Sequence, residues 1–212
     1  MSERKEDILT AALELFNKKG IDEVRTRDIA KEIQISLGNL TYYFPTKNDI
    51  VFALVQEAGK AIEDALSQNS ANPGKNILVT YFGQVETIFK THLKYRFLFG
   101  RWGEIISSNP PIQKFAQDFL KVRFDSWKGL NEQLVKEKYA RPALAEDSYG
   151  HSYIINILAL FWHQEFSMYF PGLSDKQKIE KALAIFFQSY KPYLTKKGWD
   201  ELEPLLKKLE HY

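Results

Sequence analysis

Apolar side chains recur with the period of an α-helix over almost the whole chain, and this pattern constrains the fold most strongly. Within residues 5–19 they fall at i, i+3, i+4, i+7 and i+8, which marks one face of a helix. No segment alternates between apolar and polar residues with period two, as a half-buried strand would. The 212 residues are enough to bury a sizeable core. The sequence therefore predicts an all-α protein.

The N-terminal part of the chain divides into four helices, of which the second and third are short. Gly20 is suited to end the first helix, and Thr26 and Ser36 are suited to cap the second and third. Thr46, followed three residues later by an acidic side chain, predicts the start of a fourth helix at about residues 46–66. Two short helices joined by a tight turn indicate a helix-turn-helix, so this part is a three-helix domain followed by a connecting helix.

A polar segment of small residues with a Pro-Gly pair, residues 67–76, predicts a loop. The same helical periodicity continues beyond it. We expect a helix-turn-helix DNA-binding domain at residues 1–48 and a larger helical domain at residues 49–212. Further helices are predicted at about residues 76–100, 102–107, 111–138, 144–169, 175–192 and 198–210.

DNA binding is predicted by where particular residues lie, since bulk charge does not indicate it. The net charge is +2, and residues 1–60 carry nine Lys and Arg against ten Asp and Glu. The second helix of a helix-turn-helix enters the major groove with its N-terminal residues at base edges, and Gly38 lets the backbone come close to DNA. Lys47 lies at the start of a helix, where the dipole disfavours a cation by a few tenths of a kcal/mol, but a phosphate there reverses that preference.

Residues 8–54 resemble the DNA-binding domain of TetR-family transcriptional regulators. The family pattern has a second helix with T-x-x-x-I-A, followed by S-x-G-x-L-Y-Y-H-F-x-x-K. This sequence has Thr41 where the family usually has its first Tyr and Tyr43 where it often has His. We expect these departures to alter the preferred operator without removing DNA binding. The matching positions are Thr26, Ile29, Ala30, Ser36, Gly38, Leu40, Tyr42, Phe44 and Lys47.

The resemblance implies a role for individual residues of this domain. Phe44 is expected in the core between the first and fourth helices. The second helix should contact phosphates, and the third should face the bases. The expected backbone contacts are Thr26, Arg27, Ser36, Tyr42 and Lys47, and the expected base-edge contacts are Leu37, Gly38, Asn39, Thr41 and Tyr43.

Two C-terminal helices are candidates for a dimer interface. Residues 151–169 are apolar nearly all round, so this helix has to be covered on several sides, by its own core and by a partner. In the resembling family the two corresponding helices build a four-helix interface between protomers. The alternative is that both helices form a monomer core. The expected interface residues are Ile154, Phe161, Ile179, Leu183, Phe186, Phe187 and Tyr190.

The larger domain also holds most of the aromatic residues, which suits a pocket for a small hydrophobic effector. Each of these side chains could equally be ordinary core, and the identity of the effector cannot be deduced from them. The candidate ligand-binding residues are Phe99, Trp102, Phe124, Trp127, Asn156, Trp162 and His163.

Other function classes find little support in the sequence. There is no cysteine, the four histidines do not form H-E-x-x-H, and the phosphate- and nucleotide-binding glycine motifs are missing, so we expect no catalytic site, metal or cofactor. The longest apolar run, residues 153–162, is about half of the ~20 residues that span a bilayer, so we expect a cytoplasmic protein without membrane contact.

The combined expectation is a ligand-responsive repressor that binds a near-palindromic operator in double-stranded DNA as a homodimer and is released by a small, hydrophobic effector. Two alternatives stay open at this point. One is a helix-turn-helix protein that activates or binds a protein partner. The other is a helical small-molecule-binding protein or an enzyme without a DNA role.

Overall fold

The computed structural model describes residues 3–71 and 76–209. Within these ranges the chain forms helices and their connections, and an isolated antiparallel bridge pairs Ala140 with Leu194. The all-α prediction is confirmed. The helices are α1 (Glu3–Lys19), α2 (Thr26–Glu32), α3 (Leu37–Tyr43), α4 (Lys47–Ala71), α5 (Ile77–Lys94), α6 (Arg96–Phe99), α7 (Trp102–Ser108), α8 (Pro110–Lys136), α9 (Ala143–Glu146), α10 (Ser148–Tyr169), α11 (Asp175–Gln188) and α12 (Lys196–Leu206).

The predicted apolar stripe of α1 is buried, including Ile8, Ala12 and Phe16. Helix α1 packs on α2 and α4, and α2 packs on α3. Gly20 ends the helix with a φ of +85°, and its N–H donates to the carbonyl of Phe16 at 2.9 Å. Glycine adopts this left-handed conformation without the steric penalty of a Cβ, so the predicted end of α1 is confirmed.

The turn between α2 and α3 is a Schellman motif. The N–H of Ile35 donates to the carbonyl of Ala30 at 2.9 Å, and the N–H of Gln34 donates to that of Lys31 at 3.2 Å. Gln34 takes a φ of +56°, so the chain reverses within two residues. This short reversal holds the two helices of the helix-turn-helix at a fixed angle.

Capping was predicted correctly for α3 and α4 but not for α2. The Ser36 hydroxyl accepts from the N–H of Asn39 at 3.1 Å, and Thr46 and Asp49 bond each other reciprocally. Thr26 is instead the first residue of α2, and Arg25 occupies the capping position. The carboxylate of Asp28 accepts from the backbone N–H of Arg25 at 2.8 Å, which is the half of a capping box that the acidic side chain supplies.

The connecting helix α4 is longer than predicted, because residues 67–71 of the expected loop are helical. The remainder of that loop includes residues 72–75, which lie outside the described residues. Helix α4 packs closely on α5 and α8. A Cβ added at Gly59 would lie 2.8 Å from Cζ of Phe115, so the ring of Phe115 packs directly against the backbone of α4 where α4 crosses α8.

The larger domain is built from α5 to α12. Two of its predicted helices are each broken into two pieces, at Tyr95 between α5 and α6 and at Asp147 between α9 and α10. Its centre is a cluster of aromatic rings around Tyr81, which contacts Trp127 and Phe187 at centroid distances of 5.7 and 5.2 Å. Over residues 3–71 and 76–209, no helix combines the length and the apolar composition needed to cross a bilayer.

Candidate nucleic-acid interface and effector site

One face of helix α3 is exposed to solvent and takes no part in the packing of the fold. Tyr42 is 81% exposed and Leu37 is 46% exposed, while Gly38 and Asn39 are also at the surface. Leu40, on the opposite face, is fully buried. A short helix anchored by one buried leucine therefore offers an outward face that carries an amide, an apolar side chain and a phenol.

Gly38 is not required by the packing of the protein. A Cβ built at this position would have the Ser36 hydroxyl oxygen as its nearest neighbour, at 4.0 Å, which is an ordinary contact. Its φ is not in the left-handed region. Neither backbone strain nor crowding within the chain explains the glycine, in contrast to Gly59.

The three aromatic residues after Thr41 face in different directions. Phe44 is 7% exposed and belongs to the core, as expected. Tyr43 packs partly on that core and meets the Tyr42 ring edge-on at 5.1 Å. The Thr41 hydroxyl donates to the carbonyl of Gly38 at 3.2 Å and is half-buried, so it is less available than Tyr42.

Lys47 is tied into the fold more firmly than the sequence suggested. Its ammonium donates to the carbonyls of Ile21 and Val24 at 2.8 and 3.2 Å. These carbonyls belong to the connection between α1 and α2, so Lys47 fastens that connection to the first turn of α4. The cation at a helix N-terminus thus has a reason within the protein. The third N–H of its ammonium is not engaged by these two carbonyls.

The cationic edge of this face includes a residue that the sequence analysis missed. Arg25 and Arg27 are both exposed, on either side of the half-buried Thr26 at the start of α2. The signal for Arg25 is a basic residue directly before the first turn of α2, where its side chain lies beside the helix N–H groups.

The family comparison decides what this face belongs to. The family model described as bacterial regulatory proteins, tetR family, matches residues 8–54, and a second, described as bacterial transcriptional repressor, matches residues 60–202. The chain belongs to the TetR family of transcriptional regulators. Together the two matches cover α1 to α4 and nearly all of the larger domain.

Relatives and solved structures agree with this TetR-family assignment. The Probable HTH-type transcriptional regulator YttP of Bacillus subtilis is 24% identical over 205 residues, covering 94% of this chain and 90% of YttP. A TetR-family regulator from Marinobacter aquaeolei VT8 shares the fold with a TM-score of 0.86 at 22% identity, over 99% of both chains. A structure from Saccharomonospora viridis in complex with choline has a TM-score of 0.76 at 18% identity, over 92% of this chain and all of that one.

The predicted dimer interface of this TetR-family protein is only partly at the surface. Leu183, Phe186, Phe187 and Tyr190 are at most 1% exposed within a single protomer, so they pack in its own core and their part in an interface stays a prediction. The broad apolar stripe of α11 faces its own core. Ile179 is also buried, at 8% exposure.

Most of the exposed apolar surface of these two helices lies on α10, while α11 adds Ile185, which is 43% exposed. Ile154 and Phe161, both predicted, are 57% and 43% exposed, and Ile157 between them is 45% exposed. Their spacing of three and four residues places them on one side of the helix. Other exposed apolar side chains of α10 are Tyr149, Tyr153, Met168 and Tyr169.

The predicted effector residues belong to the larger domain but differ in burial, and four of them, Phe99, Trp102, Trp162 and His163, are linked through His92. Phe99 stacks on Trp102 at 5.5 Å, and Trp162 donates its indole N–H to Nδ1 of His92 at 3.1 Å. Trp127 is fully buried beside Tyr81. Phe124, Asn156 and His163 are only partly buried, and the pKa of His163 is lowered, chiefly by burial.

Four surface cavities are formed by other residues. One of about 610 Å³ lies between α1, α4 and the end of α5, and one of about 430 Å³ lies between α5 and α11. Two smaller ones, of about 130 and 270 Å³, lie near the start of α4. The predicted effector residues do not line these four cavities, so the ligand-binding prediction stays a prediction.

Arg123 is the residue of this interior that the sequence analysis missed. It is fully buried on α8, and burial lowers its pKa to about 10. A sequence signal existed, because Arg123 interrupts the apolar stripe of α8 at a position where every neighbour on the stripe is buried. The buried residues of that stripe are Ile112, Ala116, Phe119, Arg123, Trp127, Leu130 and Leu134.

Proposed function

We propose that this TetR-family protein is a homodimeric repressor that places α3 in the major groove of a near-palindromic operator. The exposed face of α3 carries this proposal, since its side chains are not used by the fold. The Asn39 amide suits a bidentate contact with adenine, and Leu37 suits a thymine methyl group. Gly38 lets the helix backbone lie close to the base edges. Such a protein acts where the chromosome is, so we place it in the cytoplasm.

Contacts to the DNA backbone would surround α3. The exposed Arg25 and Arg27 lie at the start of α2, where helix N–H groups also favour a phosphate. The Tyr42 hydroxyl stands clear of the protein surface. Two N–H groups of the Lys47 ammonium donate to carbonyls, and the third can donate to a phosphate. Thr26 and Ser36 complete the set, although the Ser36 hydroxyl already accepts from Asn39.

A second copy of the chain would cover the exposed stripe of α10. Ile154, Ile157 and Phe161 expose about half of each side chain to water, and burial between two copies would remove that apolar area from solvent. A twofold dimer also places two recognition helices one turn of DNA apart, about 34–36 Å. Ile157→Glu should give monomers in analytical ultracentrifugation, whereas Val79→Glu, at a similarly exposed position of α5, should leave the dimer intact.

Effector control would act through α8 and α4. Phe115 of α8 packs against α4 at Gly59 and meets Phe52 edge-on at 6.1 Å. Because α8 packs directly on α4, a displacement of α8 would act on α4 and so on the Lys47 anchor at its start. An effector shifts the equilibrium only by its different affinities for the two arrangements. The choline complex of the structural relative supports a ligand-binding role for such a fold.

A second connection joins the two parts of the molecule at α6. The amide of Asn17 on α1 donates to the carbonyl of Lys94 at 2.8 Å and accepts from the N–H of Phe97 at 3.1 Å. The Phe97 ring lies 5.2 Å from that of Phe16. Arg101 forms an ion pair with Asp22 in the connection between α1 and α2. Movements in the larger domain therefore have two routes to the DNA-binding face.

The test is selection of bound duplexes from a random DNA pool with purified protein at moderate salt. We expect one near-palindrome to be enriched, with half-site centres about 10 base pairs apart. Asn39→Ala should relax the preference at one or two base pairs, while Arg27→Ala should weaken binding evenly and reduce its salt dependence. A folded protein that enriches no sequence, even at lower salt, would contradict the proposal and favour a small-molecule-binding role.

A further inference from the structure

Arg123 places a cation in the middle of an apolar interior. Its side chain has no exposed surface, and its Nε, Nη1 and Nη2 atoms have no hydrogen-bond acceptor among residues 3–71 and 76–209. The guanidinium carbon lies 5.9 Å from the centre of the Trp127 ring. A cation over an aromatic face gains some stabilisation, but five N–H donors without acceptors remain very unfavourable in such surroundings.

The groups around Arg123 do not neutralise its charge. Tyr81 is nearby, but its hydroxyl is bonded to that of Tyr190 at 2.7 Å, and burial raises the pKa of Tyr81, so it stays neutral. His92 is also affected, because burial and then the charge of Arg123 hold the pKa of His92 well below its usual value. No carboxylate of the described residues contributes to the pKa of Arg123. With a pKa of about 10, the guanidinium is charged at neutral pH.

Two further buried groups near this position are donors without acceptors. The indole N–H of Trp127, one helical turn from Arg123, has no partner among the described residues. In His92, Nδ1 accepts from Trp162, so the ring hydrogen sits on Nε2, which likewise has no partner. The unsatisfied acceptor of Asn131 lies two turns farther along α8, about 12 Å away. Among the described residues, the guanidinium of Arg123 thus has neither a hydrogen-bond acceptor nor a carboxylate that offsets its charge.

We propose that the effector carries a carboxylate, which pairs with the guanidinium of Arg123 while its apolar body lies against Tyr81 and Trp127, the two aromatic side chains that interact with Arg123. The planar fork of arginine matches a carboxylate through two parallel hydrogen bonds. The aromatic walls favour a carboxylate on an apolar body over a strongly hydrated anion such as inorganic phosphate. This inference rests on the proposed function only in taking the interior of the larger domain as the effector site.

The position of Arg123 also explains how such a ligand is sensed. Arg123 lies one turn from Phe119, which packs together with Phe115 where α8 meets Gly59 of α4. An anion that draws the guanidinium toward itself acts on the helix that touches α4. The guanidinium of Arg123 and the residues that contact α4 therefore belong to the same helix, α8.

The experiment compares wild type with Arg123→Met, which keeps an unbranched apolar stem but removes the charged guanidinium. The matched control is Lys128→Met, which removes a charge from an exposed position of the same helix. Thermal unfolding without ligand comes first. Because Arg123 carries an uncompensated buried charge, Arg123→Met should raise the melting temperature by several degrees, and Lys128→Met should leave it unchanged. A lower melting temperature in Arg123→Met would overturn the proposal.

Ligand binding is measured next, by the fluorescence of the buried tryptophans and by calorimetry. The probes are hexanoate, decanoate and benzoate, each paired with its neutral alcohol, and decyltrimethylammonium as a cation. Wild type and Lys128→Met should bind at least one carboxylate tenfold or more tightly than its alcohol and should not bind the cation. In Arg123→Met that preference should fall below threefold.

Equal affinity for acid and alcohol in wild type, a preference that survives in Arg123→Met, or no binding of any carboxylate at millimolar concentration would each overturn the proposal. These measurements use no DNA, so their failure is separate from a failure of operator binding. Selection of duplexes with both variants completes the comparison, since Arg123→Met should still enrich the same operator and should no longer release it when the carboxylate is added.

Discussion

Replacing Gly38 by alanine separates the needs of the protein fold from those of DNA binding. Gly38 is the second residue of α3, in an exposed position and with a backbone conformation open to any residue. The nearest atom to an added Cβ is the Ser36 hydroxyl oxygen at 4.0 Å. The protein by itself therefore has no reason to keep glycine here.

Gly38→Ala should raise the stability of the fold and lower the affinity for the operator. Alanine is favoured over glycine in a helix by about 0.5–1 kcal/mol, and the lower end applies in the first turn. Gly38→Ala should thus raise the free energy of unfolding by about 0.5 kcal/mol. On DNA, the methyl group would hold α3 away from the groove and weaken the base contacts of Leu37 and Asn39. Each good base contact is worth about 1–3 kcal/mol, so operator affinity should fall about 10- to 100-fold.

The assay combines urea unfolding with fluorescence anisotropy on the selected operator. Gly129→Ala is the matched control, since it lies at an exposed position inside α8 and an added Cβ there meets nothing within 4 Å. Both variants should be slightly more stable than wild type, and only Gly38→Ala should lose affinity. Full operator affinity in Gly38→Ala, with stability raised as expected, would refute the placement of α3 against base edges.

Three more predictions follow from contacts elsewhere. Asn17→Ala removes both hydrogen bonds to the backbone of Lys94 and Phe97 and should lower the free energy of unfolding by about 1–3 kcal/mol in urea titrations, and a loss below about 0.5 kcal/mol would contradict this. Lys138 has a φ of +62° at the end of α8, so Lys138→Gly should gain about 0.5–1 kcal/mol in the same assay, while Lys138→Ala should gain nothing. Burial holds the pKa of His92 well below its usual value, so its neutral form stabilises the fold above about pH 6.5 and this stability is lost as the pH falls. His92→Asn should therefore reduce the pH dependence of stability by about 1.4 kcal/mol per unit below about pH 6, and an unchanged slope would disprove this role.

The sequence predicted the local structure of the helix-turn-helix well because its signals are local. The Ser36 cap, the end of α1 at Gly20 and the burial of Phe44 depend on neighbours within a few residues, and all three are confirmed. Lys47 shows where local reasoning ends. Its position at a helix N-terminus pointed to a phosphate, but its ammonium is bonded to Ile21 and Val24, more than 20 residues earlier in the chain.

In the larger domain, local sequence could not show which apolar faces are buried within the protomer. The periodicity of α11 identified an apolar stripe but not what covers it, and Phe186 and Phe187 proved to face the protomer's own core. The stripe of α10 has Ile154 and Phe161 at the surface although its composition is equally apolar. A single helix looks the same from sequence whether its neighbour is another helix of the same chain or a second chain.

The sequence by itself determined the helical class and the helix-turn-helix register, because these follow from side-chain period, capping and turn chemistry within one or two helical turns. Only the tertiary structure decided which apolar faces are internal, where α4 touches α8, and that Arg123 is a buried cation without a counter-charge. Those properties arise from residues far apart in the chain that packing brings together. A buried charge becomes energetically unfavourable only once the surrounding helices have excluded water.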